Sequence, residues 1–78
     1  AAILVEQARG EVDRLKRSGF AAMVPDEIAG AEGAVTRADQ ALATGDAAGA
    51  QLLADEARRR VGEATAKIEA ETKQPLRW

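Results

Sequence analysis

Apolar residues recur at helical spacing in three separate segments of the chain. In the first segment, about residues 2–18, they follow a period near 3.6 residues at Leu4, Ala8, Val12 and Leu15. Charged residues fill most of the positions between them. Gly19 stands just past this segment, where helices commonly end in a left-handed residue. The pattern therefore predicts an amphipathic N-terminal helix.

Two further helices are predicted around a short turn. The second, about residues 25–44, begins with Pro25, whose fixed φ suits a first helical turn. The third, about residues 47–73, follows Gly45 and Asp46, which can end one helix and cap the next. A connection this short makes the two helices antiparallel neighbours. Their predicted packing seam consists of Ile28, Ala31, Val35, Ala38, Leu42, Leu53, Ala57, Val61, Ala64 and Ile68.

These segments predict an all-α fold, in which an antiparallel hairpin and an additional N-terminal helix form a three-helix bundle. A length of 78 residues predicts a single helical domain that spans the chain. Alanine accounts for 19 of the 36 apolar residues, so the core is expected to be thin. Such small side chains allow helix axes to approach to about 8 Å, the short end of the usual range.

The charges are balanced and interspersed, which argues against a nucleic-acid partner. The chain has 11 basic and 13 acidic residues, for a net charge of −2. It also lacks a run of roughly 18 apolar residues, so no membrane span is expected. The third helix carries an acidic residue four positions before a basic one at Asp55–Arg59, Glu56–Arg60, Glu63–Lys67 and Glu69–Lys73. Such pairs are expected to form on its solvent face.

Candidate catalytic chemistry is sparse. The sequence has no histidine, cysteine or tyrosine, which excludes disulfides, thiol nucleophiles, imidazole catalysis and the usual zinc ligands. No serine or threonine stands in a recognisable nucleophile motif. The basic run Arg58 to Arg60 could contact phosphate, but consecutive helical residues point in different directions. We therefore expect no enzyme activity, no cofactor, no metal site and no small-molecule substrate.

Candidate contact residues lie near both ends of the chain and after the first helix. Tryptophan is enriched at protein interfaces, and the only one stands on a short tail that follows Pro75. This tail could pack on its own bundle or on a neighbouring chain. The candidate interface residues are Trp78, Leu76, Phe20, Ile3 and Leu4.

The residues around the predicted turn resemble a known family. The pattern is a proline-started helix at Val24–Ile28, the alanine-rich stretch Ala34–Asp46 with its Gly-Asp turn, and then further alanines. It is similar to an uncharacterised helical-hairpin domain of bacterial envelope lipoproteins, some of which are fused to peptidoglycan-binding OmpA-like domains. The resemblance covers about residues 21–70 and implies a periplasmic, envelope or extracellular location. The family's lipidated cysteine is not present in this sequence.

Two functional hypotheses follow from these features. The first is a non-catalytic structural or protein-interaction module that assembles with a protein partner or with itself as a homo-oligomer. The alternative is a small monomeric helical module that binds a peptide or a lipid in a groove. An exposed apolar patch without self-association would distinguish the second from the first.

Overall fold

The computed structural model describes residues 2–74, and its helices end within one residue of the predicted positions. Helix α1 spans Ala2–Arg17, α2 spans Pro25–Ala43 and α3 spans Ala47–Thr72. One turn of 3-10 helix, Ala21–Met23, lies in the connection between α1 and α2, where only a linker was expected. Residues 2–74 contain no strand. The prediction of an all-α three-helix bundle is confirmed.

Local residues explain where the helices begin and end. Gly19 after α1 and Gly45 after α2 have φ of 83° and 80°, a left-handed conformation that glycine adopts without steric cost. Pro25 occupies the first turn of α2. The Asp46 carboxylate caps α3 by accepting a 2.9 Å hydrogen bond from the Gly49 backbone N–H. Helix α3 ends at Thr72, and the residue that follows it, Lys73, is left-handed with φ of 57°.

The core of the described chain is apolar throughout and rich in alanine. Helices α2 and α3 form the most extensive contact, and α1 lies against both. Sixteen residues are buried, eight of them alanine, and none of the buried residues is polar or charged. The largest fully buried side chains belong to Leu15, Ile68, Val5 and Val24. Because these bulky residues are few, most of the packing depends on close approach of the helices.

Ion pairs connect the helices across their outer edges. Lys16 of α1 lies 3.0 Å from Glu32 of α2, and Arg58 of α3 lies 2.9 Å from Glu11 of α1. Arg9 of α1 also pairs with an acidic residue of α2. All of these side chains are at least partly exposed, so each pair contributes at most about 1 kcal/mol.

The ion pairs of α3 correct part of the prediction made from residue spacing. Arg60 lies 3.5 Å from Glu56, as the spacing predicts. Arg59 lies 3.9 Å from the same Glu56 instead of the acidic residue four positions before it. Lys67 pairs with Glu27 of the neighbouring helix α2, at 3.8 Å, instead of with the predicted Glu63.

Candidate interaction surface

The predicted seam residues lie inside the bundle or at its margin. Eight of the ten are buried, whereas Leu42 and Leu53 are half-buried against the core. Ala34, Ala50 and Ala54 are also fully buried and extend the same packing surface. These residues form internal contacts, so a partner would have to bind elsewhere on the molecule.

The predicted interface residues fall into three groups. Ile3 is 74% exposed and is free to contact another molecule. Leu4 and Phe20 pack partly against the core, so only a portion of each side chain faces solvent. Leu76 and Trp78 lie outside the described residues.

Leu52 is an exposed apolar residue that the sequence reasoning missed. It is 71% exposed and, with Ile3, is one of two large hydrophobic side chains that stay exposed in the described chain. Successive residues of a helix differ by about 100° in direction. Leu52 and its neighbour Leu53 therefore could not both face the seam, and that signal was present in the sequence.

Helix α3 carries a second stripe on the side opposite its buried one. The stripe has the alternating four- and three-residue spacing of a coiled-coil seam, and each of its members is exposed. We call it the outer α3 face, and it consists of Ala48, Leu52, Asp55, Arg59, Gly62 and Ala66. Four of these six residues are apolar or glycine, so the face is flat apart from one leucine, one acid and one base.

Charged side chains border the two clefts that separate α1 from α2 and from α3, whereas a shallower depression at the start of α1, about 410 Å³, is lined by Ala2, Ile3, Glu6 and Gln7. The cleft between α1 and α2 has a volume of about 210 Å³ and exposes Val12 and Val35 among charged neighbours. Arg9 donates a hydrogen bond there to the Asp39 carboxylate, and this hydrogen bond raises the pKa of Arg9 above its ordinary value. The cleft between α1 and α3, about 460 Å³, is lined by Glu6, Gln7, Gly10, Glu11, Arg14, Arg58 and Val61.

One glycine of α2 leaves room for an arginine of α3. A Cβ placed on Gly30 would lie 2.9 Å from Cδ of Arg60, closer than real Cβ contacts allow. The Arg60 side chain therefore lies across the α2 backbone at this point. Its Nε is buried and has no hydrogen-bond partner within the described residues. The contact is part of the bundle's packing.

Clusters of acidic side chains and long apolar helices are the features that would indicate metal or membrane binding. Across residues 2–74, acidic side chains do not gather in groups of three that could hold a metal ion. Within the same range, every helix is too short or too polar to cross a membrane.

Comparison with known families covers nearly the whole molecule. The sequence model of a domain of unknown function, DUF4398, matches residues 4–75. The chain belongs to this family. Because the match begins within α1, the DUF4398 domain includes the N-terminal helix as well as the hairpin on which the resemblance depended. Neither a curated protein nor a solved structure matches this DUF4398 chain.

Proposed function

We propose that this DUF4398 domain is a non-catalytic structural module that acts through protein–protein contact, by assembling with itself or with a partner protein. The outer α3 face carries the proposal. All six of its residues are exposed, four of them are apolar or glycine, Leu52 is 71% exposed, and the face extends about 27 Å, the length of 18 helical steps. A helix face of this kind is a common site for another helix to pack.

The shape of the molecule supports side-by-side packing. The bundle measures 42 × 19 × 17 Å, so most of its surface lies along the helices. Helix α3 has 26 residues and α2 has 19, so α3 extends beyond its neighbour in the hairpin. A long helix on an elongated bundle offers a partner an uninterrupted surface.

The groove-binding alternative has less support from the clefts beside α1. Charged side chains border both clefts, and several of them pair with one another. A lipid or an apolar peptide bound there would shield those charged side chains from water without offering them new hydrogen-bond partners, and this costs free energy. Two of the six residues of the outer α3 face are charged, compared with four of the seven that line each of these clefts, so the face is a better candidate for apolar contact than either cleft.

We further propose a bacterial envelope, periplasmic or extracellular location, which rests on the resemblance to envelope lipoprotein domains. Fractionation of cells that express the natural protein under its own promoter tests this. Recovery with periplasmic or envelope markers supports the proposal, and recovery with cytoplasmic markers contradicts it.

Two measurements on the same protein test the functional proposal. Light scattering after size exclusion measures the molar mass as concentration rises, and affinity purification of a tagged chain from its native cells detects a bound protein. We expect a mass above 8.2 kDa, a stoichiometric partner, or both. A monomer at all concentrations that also brings down no stoichiometric partner would refute the proposal.

A further inference from the structure

We propose that the outer α3 face binds the same face of a second copy in antiparallel orientation, with a two-fold axis at the level of position 57. This inference rests on the proposed function and specifies the partner and the surface. It follows from the order of side chains along the face, from one exposed leucine and from the charges beside it.

The outer α3 face is complementary to itself when it is reversed. In an antiparallel pair centred on position 57, a residue that lies n positions before the centre faces the residue n positions after it. The three resulting contacts are Ala48 with Ala66, Leu52 with Gly62, and Asp55 with Arg59. Each contact occurs twice, as a two-fold symmetric interface requires.

The leucine contact matches a protruding side chain with an open site. Leu52 is 71% exposed in the single chain. Gly62 has no side chain, and within residues 2–74 no atom other than those of its chain neighbours and of its own helical backbone lies within 4 Å of the place where its Cβ would be. The copy that faces it could therefore bury Leu52 against the backbone of α3. The alanine contacts on either side permit the close approach that this requires.

The charges of the face also match. Asp55 makes no ion pair within residues 2–74, and the Arg59 side chain is 65% exposed, with its nearest carboxylate 3.9 Å away. In the antiparallel pair, each Asp55 faces an Arg59, which forms two intermolecular ion pairs. Glu56 and Arg58 lie off the face, on its two opposite sides, so each would lie beside its own counterpart in the second copy instead of opposite the other. Both are already paired within the chain, which reduces that repulsion.

The dimensions of the face predict a weak dimer. The contact is about 27 Å long and about 10 Å wide, which is the width of one helix, so it covers roughly 300 Å² per copy. That is well below the roughly 800 Å² per partner of a standard stable interface. We therefore expect a dissociation constant in the micromolar range or weaker, and the experiment must extend to millimolar protein.

Sedimentation equilibrium of the full chain tests which face is used. Leu52→Ser should raise the dimer dissociation constant by at least about tenfold, because it removes the apolar contact at the interface. Ile3→Ser is the matched control, since Ile3 is equally exposed but lies on α1. It should change the constant by less than about twofold. Circular dichroism confirms that both variants keep the wild-type helix content.

Disulfide trapping tests the register, because the chain has no cysteine of its own. Leu52→Cys mixed with Gly62→Cys should form a covalent dimer on mild oxidation. Leu52→Cys alone should not, because its two copies would lie about 15 Å apart along the helix axis.

The outcomes separate this inference from the proposed function. A wild-type chain that stays monomeric to millimolar concentration overturns the inference, whereas the proposed function stands if a partner protein co-purifies. A dimer that Ile3→Ser weakens as much as Leu52→Ser overturns the assignment to this face. Efficient trapping by Leu52→Cys alone overturns the antiparallel register.

Discussion

Replacement of Ala38 by leucine tests whether alanine is required where the helices pack. Ala38 lies in the C-terminal half of α2 and is fully buried. Leucine is about as good a helix former as alanine, so helix propensity changes little. The three added carbon atoms have to displace neighbouring atoms or separate α2 from the rest of the bundle. Overpacking of this kind destabilises a protein by about 1–3 kcal/mol.

The matched control is Ala29→Leu, at an exposed position of the same helix. A surface substitution of this type should change the free energy of unfolding by less than about 0.5 kcal/mol. At about 0.05–0.15 kcal/mol per residue, the whole domain has roughly 4–12 kcal/mol of stability. The Ala38→Leu effect is therefore a substantial fraction of the total.

Urea and thermal unfolding, followed by circular dichroism at low protein concentration, measure the difference between the two variants. For a domain of this size, about 1 kcal/mol lowers Tm by roughly 4–8 °C. We therefore expect Ala38→Leu to unfold about 4–24 °C below Ala29→Leu. Equal Tm values would show that the interior has room for larger side chains, and the account of a thin alanine core would be wrong.

Four further substitutions test local features of the bundle by urea unfolding. Asp46→Ala removes the cap of α3 and should destabilise the protein by about 1 kcal/mol; an unchanged midpoint would show that this cap is dispensable. Gly10→Ala should stabilise it by up to about 1 kcal/mol, because the added methyl meets open space, whereas Gly30→Ala should gain less because the methyl meets Arg60. Equal gains would contradict that contact. Ile68→Ala should destabilise the protein by about 2–5 kcal/mol, and a loss below 1 kcal/mol would show that the core collapses around the deletion.

The helix boundaries could be predicted because they depend on local chemistry. Gly19 and Gly45 adopt positive φ, Pro25 begins α2, and the side chain of Asp46 bonds to a backbone amide three residues later. Each of these effects acts within a few residues of the chain. Periodicity then identifies which side of each helix faces inward, and most of the predicted seam residues are buried.

The remaining features depend on how the helices sit against one another. Lys67 pairs with Glu27 because α2 brings that carboxylate close, and spacing along α3 carries no information about it. Arg58 likewise reaches Glu11 on α1. The 3-10 turn in the α1–α2 connection has no side-chain cap, so the sequence gives no local signal that predicts it. The exposure of Leu52 could have been inferred from its position next to Leu53. The proposed contact of the outer α3 face with another molecule could not.

Site-specific photo-crosslinking in native cells tests most directly whether the molecule works through its outer helix face. A photoreactive residue is placed at Leu52, with Arg37, an exposed position on α2, as the control. We expect a discrete protein adduct from position 52, formed with a second copy or with a partner, and little or none from position 37. The absence of an adduct at position 52, with normal expression of the protein, would contradict it.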